Sequence, residues 1–268
     1  MERDRGYFPA GESVLRRVHE ERIVGMLYGQ RALLLQAMHP VAFEGLVADT
    51  KGLDAPFRRL VRTAKTMERL YFGTQAQADK VATAVERMHG RVPAAGIQEH
   101  LLWILACLAD SALAIHQRFV GRLGAADRED FWQDYLVLGD LFGVDRALAP
   151  SHYREFRAYM RERMASDELH VTAEARELSL RVAFELPLPR SRQPGLAIIN
   201  HAITGTLPPR ARREYGLSWN AVDEARLRAF TAASRAGAVV LPRALWTGSC
   251  ARDYELVAKG EARRLAAA

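Results

Sequence analysis

Cysteine is almost missing from this chain: two residues in 268, Cys107 and Cys250. That excludes a disulfide framework and a four-cysteine zinc site. Cys107 lies in an apolar helical stretch and is expected to be a small buried hydrophobe, not a reactive thiol. Uninterrupted apolar runs are also short. Ala32 to Leu35 and Ala236 to Leu241 fall far below the roughly 20 residues of a membrane span. The charged start, Met1 to Arg5, leads into no signal-like segment, so a cytoplasmic location is expected. Phosphate-cradling glycine motifs are absent, as is a G-x-S-x-G elbow. The helices carry no paired E-x-x-H sets of the di-iron kind, and Glu99-His100 lacks a second ligand at useful spacing, so no protein-bound metal is expected. The net charge of +6 comes mostly from scattered arginines. Without a helix-turn-helix, zinc knuckle or RRM-type motif, it implies a solvated basic surface and no nucleic-acid partner.

What is present is helical periodicity. Asp54 can cap a helix with Pro56 in its first turn. Phe57, Leu60, Val61, Ala64, Met67, Leu70 and Tyr71 then recur at spacings of three and four until Gly73. Thr74 can cap the next helix, which carries Ala78, Val81, Val85 and Met88 on one face and ends at Gly90. Leu101 to Phe119 is apolar nearly all round, which predicts a central buried helix. Further helices are expected from about Arg128 to Phe142 and after Pro150-Ser151, the latter turning Tyr153, Phe156, Tyr159 and Met160 inward. Strands are scarce; Ala238 to Leu241 is the one short β-branched stretch. The Pro-rich breaker from Leu186 to Gly195 fits a surface loop between helices better than a domain boundary, because the last ~75 residues would make a small core by themselves. The expected architecture is all-α: a single multi-helix globular domain, 1–268, around a central buried helix, with 1–20 and 255–268 as peripheral termini.

Several segments in order resemble the DUF2236 family of MpaB-type oxygenases and latex-clearing rubber oxygenases, over most of residues 20–235. Gly29 through Pro40 is similar to its G-x-x-R-x-L-L-L-Q-x-x-H-P segment. Arg59-Leu60-Val61-Arg62-Thr63-Ala64 resembles its R-L-x-R-T-A helix, and Phe72-Gly73 its following F-G. Arg118 to Gly121, and Leu207-Pro208-Pro209 through Tyr215-Gly216-Leu217, also fit. Glu99 through Ser111 resembles a helix reading E-L-L-W-V-H-A-T-L-V-D-S, in which the histidine looks like the axial haem ligand. Here that place holds Leu105, which cannot bind iron. His100 lies about 140° from the Leu105 direction, and His116 is about 16 Å further along the same face, so neither is a simple replacement. Membership and haem dependence are therefore separate expectations.

The resemblance implies an oxidoreductase of the oxygenase kind, with haem b as cofactor in relatives and an apolar small molecule as substrate. Arg62, Lys65 and Thr66 match the R-x-x-K-T pattern of latex-clearing proteins. On that reading Arg62 anchors the cofactor while Lys65 and Thr66 line the distal side. Arg58 and Arg69 continue the row, and a solvated basic stripe would look the same. Arg62 is expected to face the interior more than Arg58 or Arg69, beside an anionic partner. His39, before Pro40, has two readings: a ring bonded at a helix end, or a polar group in a cavity shared with Arg62 or Leu105. The alternative function is a haem-free helical binding protein, or a cofactor-independent enzyme, that keeps the family fold.

Overall fold

Small side chains let two helices approach closely at the centre of the molecule. The structure is a computed structural model that describes residues 5–48, 56–89 and 97–267. Along the chain run α1 (Val14–Glu20), α2 (Arg22–Gln36), α3 (Pro40–Ala48), α4 (Pro56–Phe72), α5 (Gln75–His89), α6 (Ile97–Phe119) and α7 (Ala125–Leu141). They are followed by α8 (Tyr153–Ala165), α9 (Ala173–Phe184), α10 (Gln193–Thr206), α11 (Pro209–Tyr215), α12 (Ala221–Val240), α13 (Arg243–Trp246) and α14 (Ala251–Ala267). The fold is all-α, with no strand among the described residues and one isolated bridge, Glu21 to Thr247. Ala238 to Val240 ends α12 and forms no strand.

The expected central helix is α6. Ala106, Cys107, Ala109 and Ala112 are completely buried along it, and α2 lies against it in the most extensive helix contact of the fold. By length and composition, Gln98–Phe119 could cross a bilayer, contrary to the impression given by uninterrupted runs alone. Most of it is buried inside the protein, as expected of a core helix.

Side-chain ties fasten this crossing. Arg31 of α2 donates from Nη1 to Asp110 Oδ2 at 3.0 Å and to Ser111 Oγ at 2.8 Å, and from Nε to the Thr206 carbonyl at 3.1 Å. Gln36 Nε2 donates to the Ile104 carbonyl, and the Tyr215 hydroxyl to the Leu34 carbonyl. The family-like segments thus meet at the α2–α6 crossing and its neighbours.

The hairpin of α4 and α5 packs on one side of this pair. A Cβ at Gly73 would stand 2.3 Å from the Arg69 carbonyl oxygen, so the tight turn needs glycine there. Thr74 caps α5 as expected: its Oγ1 accepts from the Gln77 N–H, and Gln77 Oε1 accepts from the Thr74 N–H. Asp54, the expected cap of α4, lies outside the described residues, as does Gly90. Glu261 of α14 reaches the start of α4 instead, its Oε1 accepting from the Phe57 N–H at 2.9 Å. A carboxylate there suits the positive end of the helix.

Residues near both ends of the described chain pack into its cores. Phe8, Leu15 and Val18 belong to the main core, and Val257 packs with Phe57, Val61, Leu186 and Leu196 in a second cluster. The physical reason is that α4 and the 186–196 segment leave an apolar face that only α14 covers. The breaker near Leu186 accordingly folds against the body: it is a loop whose leucine is buried, followed by a 3-10 turn at Arg190–Arg192.

Candidate functional site

A cavity of about 1010 Å³ lies between the α4–α5 hairpin and the α2–α6 pair. Its floor is apolar: Leu101, Ile104, Leu105 and Leu108 of α6, Leu33 of α2, Ala64 and Met67 of α4, and Leu178 and Val182 of α9. Phe142, just past α7, and Tyr254 of α14 complete it. Uncharged polar groups are few: Gln30, Gln36, Thr66, Ser179 and the Tyr28 and Tyr254 phenols, with Thr63 and Gln77 exposed at the edge. Along the hairpin the lining becomes cationic, with Arg59, Arg62, Arg69, Lys80 and Arg87.

Leu105 is 2% exposed and faces this cavity, as expected from its place in the helix. Its Cδ2 lies 2.8 Å from where a Cβ on Gly139 would be, so glycine on α7 makes room for the leucine. Arg62 and Thr66 share the cavity with it.

The expectation of an interior Arg62 is corrected: Arg62 is exposed, as are Arg58 and Arg69. It forms no ion pair among the described residues. Its guanidinium stands at the cavity rim and stays hydrated, so no buried anionic partner is required. Lys65 is exposed and does not line the cavity. Three residues advance a helix by 300°, so Lys65 lies about 60° from Arg62, and the edge of the cavity falls between them.

His39 does not line the cavity either, although Gln36 and Phe43 on both sides of it do. The helix before it ends at Gln36, and His39 caps the N-terminus of α3. Its carbonyl accepts from the Phe43 N–H and its Nδ1 from the Ala42 N–H at 3.3 Å. The expected role against a helix C-terminus is thus reversed: an accepting nitrogen must be neutral. Burial, then the neighbouring His100 and Arg163, push its pKa down, consistent with that role. The His39 and His100 rings meet edge to face at 4.7 Å. His39→Ala is expected to cost about 1 kcal/mol in chemical denaturation, the usual loss for a cap, and to leave binding in the cavity unchanged.

The family model for the catalytic domain of ER-bound oxygenase mpaB/B′ and rubber oxygenase matches residues 16–236. The chain belongs to this family. No curated protein and no solved structure matches it. The matched span of this MpaB-like chain covers nearly every wall of the cavity; Tyr254 lies beyond it.

The described lining offers no donor for a histidine- or thiolate-ligated haem. Among the described lining residues there is no imidazole and no thiol. Burial drives the Tyr28 phenol up to about 12 and the Tyr254 phenol well above its usual range, so both stay protonated. The Tyr254 hydroxyl already donates to the Gly25 carbonyl at 2.9 Å. Lys80 is exposed at the rim, and Met67 offers a thioether, which ligates haem iron beside a histidine that the described lining does not supply. Carboxylates are likewise missing from the described lining.

The rim cations other than the family-like Arg59 and Arg62 escaped the sequence reading. Arg69 was visible only as part of a stripe, and Lys80 and Arg87 belong to a separate helix whose facing depends on the hairpin. Arg31, Asp110 and Ser111 lay inside matched segments, but their pairing required the α2–α6 crossing.

Proposed function

We propose that this MpaB-like domain is a binding protein for an apolar small molecule, held in the α4–α6 cavity without an axially ligated haem. The observation that carries this reading is the lining itself. Leu105 and its neighbours form an apolar floor where an iron ligand would be needed, and no acid–base pair stands among the described lining residues. Large, mostly apolar pockets with a few convergent polar groups are the usual form of small-molecule sites. Thr63, Thr66 and Gln36 would orient the ligand, and the leucines would exclude water from it.

A second reading, a haem-bearing oxygenase, is favoured by the cavity's size together with its cationic rim, which would suit propionates. Absorption spectroscopy of freshly purified protein, followed by titration with hemin, separates the two. The expected result is no Soret band as purified and no ligated-haem spectrum on titration, while a neutral solvatochromic dye such as Nile red binds and is displaced in Leu105→Trp. A Soret band that purifies with the protein would overturn the haem-free reading. Failure of any apolar probe to bind would overturn the binding reading.

A further inference from the structure

Charge is sorted on the α4–α5 hairpin. Five cationic side chains line the cavity and no described lining residue is acidic. The two helices do carry carboxylates, but these point elsewhere. Glu68 of α4 accepts from the Ser249 hydroxyl at 2.6 Å, and Asp79 of α5 from the Tyr7 hydroxyl at 2.7 Å. Asp79 and Glu86 lie about 140–180° around α5 from Gln77 and Ala84, at about 100° per residue, and Gln77 and Ala84 are cavity-lining.

The cations keep a helical rhythm. Arg59, Arg62 and Arg69 with Thr66 fall at steps of three and four on α4, and Gln77, Lys80, Ala84 and Arg87 do the same on α5. Arg62, Arg69, Lys80 and Arg87 form no ion pair among the described residues. Carboxylates at i±3 or i±4 stabilise exposed cations on a helix, and here those places beside Arg62, Arg69, Lys80 and Arg87 hold no carboxylate among the described residues. Beneath this rim the floor is buried and apolar, Leu105 and Met67 being 2% and 4% exposed.

We infer that the ligand is a single-chain amphiphile with an anionic head, a carboxylate or a phosphate, its head held by the basic rim and its tail laid over Leu105. The inference rests on the apolar-ligand reading of the same cavity and adds the head group. Arginine suits both heads because its planar fork can pair two oxygens at once. The row is also extended. Arg59 and Arg69 are ten residues apart, about 15 Å along the helix, so an elongated ligand can keep its head on the rim while its tail passes inward.

Calorimetric titration of the full chain with dodecanoate, dodecyl phosphate and dodecan-1-ol tests this. At least one of the two anions is expected to bind about tenfold or more tightly than the alcohol, a difference of about 1.4 kcal/mol. That preference should shrink as salt is raised. In R62Q/R69Q/R87Q the ratio of anion to alcohol affinity should fall towards one, with the melting curve checking the fold. Should the triple variant not fold, R87Q and the salt series carry the same ratio. Equal affinities for anions and alcohol in the unaltered protein would overturn the head-group assignment while leaving the apolar-ligand reading intact. A preference that survives both salt and the substitutions would overturn it too. Binding of none of the three would overturn both.

Discussion

Asp110→Ala is expected to destabilise the protein by about 3–5 kcal/mol, because it strands a buried cation. The Arg31 side chain is 3% exposed, and its charge is balanced by Asp110, itself 11% exposed. Ser111 and the Thr206 carbonyl satisfy other guanidinium protons but carry no net charge. Loss of the carboxylate therefore leaves the desolvation cost with no offset. Typical stabilities are about 5–15 kcal/mol, so the variant should lose a large part of its urea midpoint. Arg157 also pairs with Asp110, from a side chain 40% exposed. Arg157→Ala should cost about 1 kcal/mol or less, as half-solvated pairs do. Equal losses in the two variants would show that Arg31 is not the group that needs Asp110.

Acid should unfold the protein earlier than its carboxylates require. His19 is completely enclosed: its Nε2 is 2.9 Å from the Tyr135 hydroxyl, and its ring stacks on Tyr71 at 4.1 Å. Burial, then the charge on His116, lowers its pKa to about 3. Burial likewise lowers His116 to about 4. The unfolded chain takes up these protons near pH 6.5 and the folded protein does not, so stability falls as pH drops below that value. At pH 5.5 each histidine costs about 1.4 kcal/mol, roughly 3 kcal/mol for the pair relative to pH 7.5. His39 and His100, also lowered, act in the same direction. Asp134 and Glu21, raised by burial, act the opposite way but nearer carboxylate values. Urea denaturation at pH 7.5 and 5.5 measures the difference, and His19→Gln/His116→Gln should remove most of it. An unchanged pH dependence in that double variant would rule out the two rings as its source.

The helices were legible because their signals are local. The α4 pattern from Phe57 to Tyr71, the Thr74 cap and the buried run of α6 each depend on neighbours within a few residues. Residue placement at the site depended on more. Leu105 and Thr66 could be placed in the cavity because their motifs fix a helix face. Lys65 could not be separated from Arg62 by spacing, since the two are one helical step apart and a cavity edge is a tertiary property. His39 was read at the end of one helix although it begins another, since Pro40 stops a helix and also starts one well. The burial of Val257 was not legible either, because it follows from the apolar face of α4 and not from the composition of α14.

That last contact bears on how the cavity can change. The family match ends at residue 236, while Tyr254 walls the cavity, Val257 seals the Phe57 cluster and Glu261 holds the start of α4. The matched span and the last wall of the cavity thus belong to different stretches of polypeptide. The Arg31–Asp110 tie keeps the common frame rigid whatever follows it. Substitution at Tyr254 alters a cavity wall from outside the α2–α6 crossing. The size of the cavity is thus set in part by a helix that belongs to neither side of that crossing.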